Sequence, residues 1–446
     1  MSRRRSSVLA AAAAAAALAL VPVAARAADP STTELLEQIK QLQSKVERLE
    51  AKQDQASADV AATVDQILRD AERRSALLQT DGAVLAGWEK GKFFLRSADN
   101  SFLLNPAVQL QVRYVVNSTS DAEDADGGAD DRTESGLEIR RMKFSLGGHA
   151  FTPKLVYQFQ WEANQNGGEV TLEDAWLRYQ LQKEWFVRGG QFKDPTFHEE
   201  RTSSRRQLAV DRSLLNEEIA GGETDYIQAV SVIYDPGQGT PFRAEVGLSD
   251  GVGSLNTNWR DYPVNDANFG VVGRVDYFVH GDRKSYEDFT ALDNKESLLA
   301  VGAGAHWQQA GDANTVYHSV DVQFENTTGL SVFGAYVGRF NEEADDDAYD
   351  FGFLGQVGYL LNRRWEVFGR YDVLFTDDEV AFAGGGEDTF HEFTVGANYY
   401  LRSHAAKFTL DLTYLPNGSP SNHAGIGVLS TGEDEFVLRG QFQLLL

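Results

Sequence analysis

The sequence predicts an all-β transmembrane barrel of about sixteen antiparallel strands, with an N-terminal α-helical coiled coil ahead of it. Three observations carry this expectation. Many segments beyond Gly82 alternate apolar and polar side chains over about ten residues, the length that crosses a bilayer when tilted. Aromatic residues gather near the ends of these segments, as in the girdles of membrane interfaces. The connections alternate between tight turns and long acidic loops, as in a meander with one set of ends on each side of a membrane. An even strand count suits a chain that starts and ends on the periplasmic side, and about sixteen strands leave an aqueous channel.

Composition bounds the alternatives. With 41 Lys+Arg against 66 Asp+Glu the net charge is −25, and so acidic a chain is a poor general binder of nucleic acid, which needs a basic surface. Cysteine is absent, which excludes disulfides and thiolate metal sites. An exported chain without them draws its stability from elsewhere, and a closed hydrogen-bonded barrel supplies it.

Residues 1–27 read as a cleaved secretory signal peptide: Arg3, Arg4 and Arg5 open it, Val8 to Val23 form the apolar stretch, and Ala25-Arg26-Ala27 is a small-x-small cleavage site. Over residues 31–78 the period is helical. Leu35, Ile39, Leu42, Val46 and Leu49 step at the spacing of a coiled-coil seam, which weakens at Gln53 and Ala56 and recovers at Val60 and Ile67. Ser31 and Glu34 make a capping box at its start. So narrow an apolar stripe gains little alone, so a self-associating periplasmic coiled coil is expected; an amphipathic helix lying on the barrel is the alternative.

The barrel is expected over residues 88–446. Val108, Leu110, Val112, Tyr114 and Val116 share one face, with Gln109, Gln111 and Arg113 on the other. The same alternation recurs at Leu155–Trp161, Val316–Phe324, Tyr349–Tyr359, Trp365–Val373, Phe408–Tyr414 and Phe436–Leu446. Asp235–Thr240, Asn326–Gly329, Asn362–Arg363 and Arg402–His404 read as tight turns. Ser118–Arg132, Ser249–Asn268, Phe340–Asp347, Phe375–Asp388 and Pro416–Asp434 read as long loops. One stretch breaks the pattern. Gly189–Asn216 (GGQFKDPTFHEERTSSRRQLAVDRSLLN) starts as a strand, loses a ladder donor at Pro195, and then carries Arg201, Arg205, Arg206 and Arg212. Residues 194–216 are expected to fold into the lumen as a constriction loop.

Gly190–Leu215 resembles the segment of the phosphate-selective porin O/P family where a strand gives way to the constriction loop, and Gly91–Tyr114 looks like that family's first strand. The signal, helical preamble and barrel order are similar too. Leu446 departs from the aromatic residue that ends most outer-membrane barrels, and Phe442 stands nearby. The resemblance implies a bacterial outer-membrane porin, a homotrimer whose arginines and lysines line an anion path. Carried over by position, only Lys193 and the loop residues Arg201, Arg205, Arg206 and Arg212 fall in the matching segment.

An anion path needs cations on the lumen face. Arg113, Arg141, Lys143, Arg178, Arg188, Arg243, Arg274, Arg370 and Arg439 fall on the polar phase of their strands, and the planar guanidinium fork suits phosphate. Glu138, Glu162, Glu245, Asp276, Glu366, Asp372 and Asp411 share those faces. The expected function is therefore a passive diffusion channel for small anions, with phosphate as a candidate, and a general or cation-preferring porin is the alternative. A second alternative is an outer-membrane anchor acting through the coiled coil. The acidic loops Asp121–Asp131 and Glu342–Asp347 are solvated charge that could bridge lipopolysaccharide through divalent cations. No cofactor or metal site is expected: Ala122 stands where a calcium loop needs its first ligand, and the eight histidines show no ligand spacing. Gly247–Gly251 matches the letters GxSxG, but Ser249 is followed by a loop where a nucleophile elbow needs a helix.

Overall fold

The computed structural model describes residues 84–446 except 90, 124–128, 164, 166, 221–225, 259–268, 343–346, 378–387 and 430–432, together with six positions between 37 and 48. Those six, Glu37, Lys40, Gln41, Ser44, Lys45 and Arg48, are helical and exposed. They are polar positions of the expected helix; its seam and the signal segment lie outside the described residues. By its contacts the chain divides into two units, Met1–Thr80 and Asp81–Leu446.

In the second unit, β1 (Val84–Glu89) and β2 (Lys92–Ser97) form a hairpin that meets the wall through Leu95 and Arg96. The wall is β3 (Leu103–Glu123), β4 (Ala129–His149), β5 (Leu155–Ala163), β6 (Val170–Gln180), β7 (Trp185–Lys193), β8 (Tyr226–Tyr234), β9 (Phe242–Ser249) and β10 (Phe269–His280). It continues through β11 (Leu298–Ala310), β12 (Ala313–Glu325), β13 (Leu330–Glu342), β14 (Asp347–Leu360), β15 (Trp365–Phe375), β16 (Thr389–Arg402), β17 (Ala406–Leu415) and β18 (Glu435–Leu445). Each strand pairs antiparallel with the next, and β18 pairs back onto β3, so sixteen strands close into a barrel without a free edge. Leu446 takes part in the seam: its amide donates to Val108 O at 2.9 Å and its carbonyl accepts from Val108 N at 3.0 Å.

Burial is inverted relative to a water-soluble sheet. On β17, Lys407, Thr409, Asp411 and Thr413 are buried while Phe408, Leu410 and Leu412 are exposed; on β18, Arg439, Gln441 and Gln443 are buried while Phe436 and Leu438 are exposed. Apolar faces point outward and polar faces inward, the arrangement a bilayer selects.

Two features differ from the sequence expectation. In the segments read as loops at Ser118–Arg132 and Phe340–Asp347 the described residues are strand, because β3, β4, β13 and β14 extend beyond their apolar stretches. Backbone pairing needs no lipid, so a hairpin continues as long as its partner does. The other difference is at the turn end. Gly281–Ser297, between β10 and β11, is no tight turn but a seventeen-residue insertion with Tyr286, Phe289, Thr290 and Ala291 buried.

Two β-bulges shift the inward phase. Gln111 faces Arg141 but Val112 faces Ile139, which leaves Arg140 as an extra residue on β4. Gln160 faces Asp174 but Trp161 faces Leu172, which does the same for Glu173 on β6. An extra residue lets two consecutive side chains serve one face.

Candidate functional site

The stretch after β7 does fold inside the barrel. Asp194 leads into a single helical turn (His198–Arg201), a 3₁₀ turn (Ser204–Arg206) and a π turn (Asn216–Ala220). Leu208, Leu214, Leu215 and Ile219 pack with Phe333, Val337, Leu354, Phe368, Leu374 and Phe390, inward residues of β13–β16. Where the loop lies against that wall, these apolar side chains stand among buried charged ones.

Irregular backbone away from water must find hydrogen-bond partners, and the charged residues of β15–β17 supply them. Val210 N donates to Asp411 at 2.7 Å, Leu214 N to Glu392 at 2.8 Å and Leu215 N to Asp372 at 3.1 Å. Lys407 donates to Gln207 O at 2.7 Å, Asn398 to Leu208 O at 3.0 Å, and Arg370 to Asp211 O and Arg212 O at 2.9 and 3.1 Å. Several acids that share the lumen face with the arginines thus bind amides as well as cations.

Two further segments narrow the lumen. From the turn end, Tyr286 stacks on His198 of the constriction loop with ring centroids 4.0 Å apart and planes 9° from parallel. Phe289 meets the same ring edge-on at 5.5 Å. From the loop end, the β17–β18 connection turns Gly425 O, Ile426 O and Gly427 O inward to accept from Arg113, Arg439 and Asn117 at 2.9, 2.8 and 2.7 Å.

The expected cations separate into three groups. Arg113, Arg274, Arg370 and Arg439 are buried and fully engaged: Arg113 by Glu138 and Asp211, Arg274 by Asp276 and Asp321, Arg370 by Glu392, and Arg439 by Asp411. Arg141, Lys143, Lys193 and Arg212 line a polar cavity of about 680 Å³, together with Arg140, Glu162, Glu173, Glu217 and His423. It lies between the β4–β6 wall, the constriction loop and the β17–β18 connection. The remaining residues lie on β6–β10 and the facing loop. Arg178 stands opposite Arg188 in the register, Arg188 pairs with Glu245, and Arg201 and Arg243 both reach Asp276, at 3.4 and 2.6 Å. Arg206 pairs with Glu287 of the turn-end insertion at 2.6 Å. Arg178 and Arg205 make no ion pair among the described residues.

Arg140 and Glu173 escape a reading by alternation, because each is the extra residue of a bulge. A further central residue, Asp211, sits in the loop and collects Arg113, Arg140 and Arg141, the latter two at 3.1 Å. Burial raises its carboxyl, and these arginines overcome that and hold it well below the usual carboxylate range. Glu217, at the cavity, is raised by burial and by its neighbour Glu200. The cavity is thus lined by five cations and three carboxylates, with Asp211 directly behind Arg140 and Arg141.

Ser249 has neighbours its letters alone did not predict. Its Oγ lies 2.8 Å from His306 Nε2, and His306 Nδ1 lies 2.5 Å from Asp194 Oδ2.

Residues 112–265 match the phosphate-selective porin O and P family. An uncharacterized protein of Aquifex aeolicus (strain VF5) is 22% identical over 292 residues, which span 60% of this chain and 64% of that protein, just under two thirds of its length. Among solved structures, the anion-selective porin from Comamonas acidovorans superposes with a TM-score of 0.53 at 14% identity, covering 77% of this chain and 99% of that one. OmpT of Vibrio cholerae in its trimer form gives 0.50 at 9% identity, covering 76% and 99%. Both likenesses concern the fold.

Proposed function

From a closed barrel whose residues 112–265 match the phosphate-selective porin O and P family, we propose an outer-membrane channel through which small anions diffuse. The observation that carries the reading is the cavity beside the constriction loop, where Arg140, Arg141, Lys143, Lys193 and Arg212 outnumber Glu162, Glu173 and Glu217. The mechanism is electrodiffusion. The docked loop sets the bore, and guanidinium and ammonium groups held on opposite sides lower the barrier for an anion that sheds part of its water. The row Arg178, Arg188, Arg201 and Arg243 continues the cationic surface onto β6–β10. Arg suits an oxyanion such as phosphate because its fork donates two parallel bonds and stays charged. No step makes or breaks a bond.

A trimer, exported with its signal peptide removed, belongs to the same proposal: V. cholerae OmpT, similar in fold, has a trimer form, and the expected coiled coil would join copies. Acidic loop tips facing lipopolysaccharide through divalent cations belong to this reading.

A general or cation-preferring pore is favoured by a different observation: most lumen cations are ion-paired, and Asp211 offsets Arg140 and Arg141. The reversal potential of the purified protein in a planar bilayer under a KCl gradient decides between them. A shift toward the chloride potential, reduced in Arg141→Ala/Lys143→Ala and blocked by added phosphate, supports the anion path. A reversal on the potassium side, unaltered by the double variant, refutes it.

A further inference from the structure

The constriction loop hangs from β7 by Asp194, and that residue is held by a chain of hydrogen bonds that runs through β11 to the end of β9. Asp194 Oδ1 accepts from Thr196 N at 2.7 Å, and Oδ2 faces His306 Nδ1 of β11 at 2.5 Å. His306 Nε2 faces Ser249 Oγ, at the end of β9, at 2.8 Å, and that oxygen accepts from Gly251 N at 3.2 Å. Asp194, His306 and Ser249 are 3%, 0% and 4% exposed. The wall is shaped around them: a Cβ on Gly270 would lie 2.5 Å from Ser249 Oγ and 2.7 Å from His306 Nε2, and one on Gly304 would lie 2.3 Å from Thr196 O.

The chain has one consistent direction. The carboxylate can only accept, so His306 Nδ1 carries the proton. Nε2 is then the acceptor, Ser249 donates to it, and the serine oxygen takes the Gly251 amide. A neutral histidine therefore satisfies every member. The residues follow the order of a nucleophile, a base and an acid, but the serine oxygen is sealed in the wall and already takes an amide, so the arrangement holds chain rather than receiving a substrate. The segment after Ser249 is itself clipped down. Val252 N donates to Gln308 at 2.7 Å, Asn256 N to Gln191 at 2.8 Å, and Gln228 holds Ser254 O at 2.6 Å and Thr257 O at 2.9 Å.

We propose that Asp194, His306 and Ser249 form a positioning relay that holds the root of the constriction loop and ties it to residues 250–258 of the β9–β10 loop. A displacement of that outer loop then shifts the bore. This rests on the channel reading above and deepens it: the two loops act as one mechanical unit, with His306 as the joint.

The test is single-channel recording of the full-length protein in planar bilayers. In His306→Asn the amide nitrogen takes the place of Nδ1 and keeps the Asp194 bond; in His306→Gln the amide oxygen takes the place of Nε2 and keeps only the bond from the serine. The expected result is a single conductance level in the wild type and in His306→Asn, and its loss into sublevels in His306→Gln and in Asp194→Leu, without further change when the last two are combined. The chain lacks cysteine, so Asp250→Cys can be labelled alone with a bulky maleimide. The label should shift the conductance level, and adding Ser249→Ala should abolish the shift. Equal behaviour of the Asn and Gln variants, or a label shift that survives Ser249→Ala, overturns the relay. No conductance in the unlabelled wild type overturns the channel reading itself, and the relay with it.

Discussion

Acidification should loosen the clasp between the two lumenal insertions, and His198 is the reason. Its Nε2 lies 2.8 Å from Gln323 Oε1, while the Gln323 amide nitrogen donates to Ser285 O and Asp288 O at 3.1 and 2.6 Å. The glutamine oxygen therefore accepts, and His198 carries its proton on Nε2. Nδ1 is then the acceptor of a hydrogen bond from Arg201, whose guanidinium stands 3.4 Å away. A second proton would sit against that cation in a buried site. Burial first, and then Arg201 and Arg274 against the opposing pull of Asp321, lower the pKa from 6.5 to about 3. The unfolded loop binds the proton first, so the stabilisation is complete above about pH 6.5 and is lost as the pH falls from there toward 3. Each pH unit in that window removes roughly 1.4 kcal/mol, so by about pH 4 roughly 3 kcal/mol of the clasp is gone. The assay is conductance and current noise between about pH 7 and 4, in the wild type and in His198→Phe. Phenylalanine keeps the stack on Tyr286 and removes the titration. Noise should grow with acid in the wild type alone; the same growth in His198→Phe would refute the assignment.

Arg370→Met should cost about 3–5 kcal/mol, because it leaves Glu392 buried beside Asp372 and frees two loop carbonyls; thermal unfolding in detergent measures it, and an unchanged midpoint would contradict the anchoring role. Gly304→Ala should move Thr196, since the added methyl would lie 2.3 Å from its carbonyl oxygen, and a changed open-channel conductance at unaltered barrel stability is the expected signature.

Much of the barrel was legible because a membrane leaves few options. A strand that faces lipid on one side and water or protein on the other must alternate, as Phe408/Leu410/Leu412 against Lys407/Thr409/Asp411 does. The abrupt end of alternation after Lys193, with Pro195 behind it, likewise marked the loop that turns inward. The length of Gly281–Ser297 was present in the sequence too, but its inward course depends on Tyr286 finding His198, 88 residues away in the chain.

What only the tertiary structure decided is which charges face the remaining bore. Alternation assigns Arg140 to lipid and Arg141 to the lumen; a bulge brings both to Asp211. Arg370 and Arg439 sit on the inward phase as read, but Arg370 is taken up by the Asp211 and Arg212 carbonyls of the docked loop and by Glu392, and Arg439 by Ile426 O of the β17–β18 connection and by Asp411. The sequence by itself determined that this chain crosses a membrane as strands and folds one arginine-bearing segment inward, because those properties follow from local period and local breakage. The pairing of each cation depends on where that segment docks, and docking is set by contacts such as Leu214 and Leu215 with the β13–β16 wall, which local periodicity does not encode.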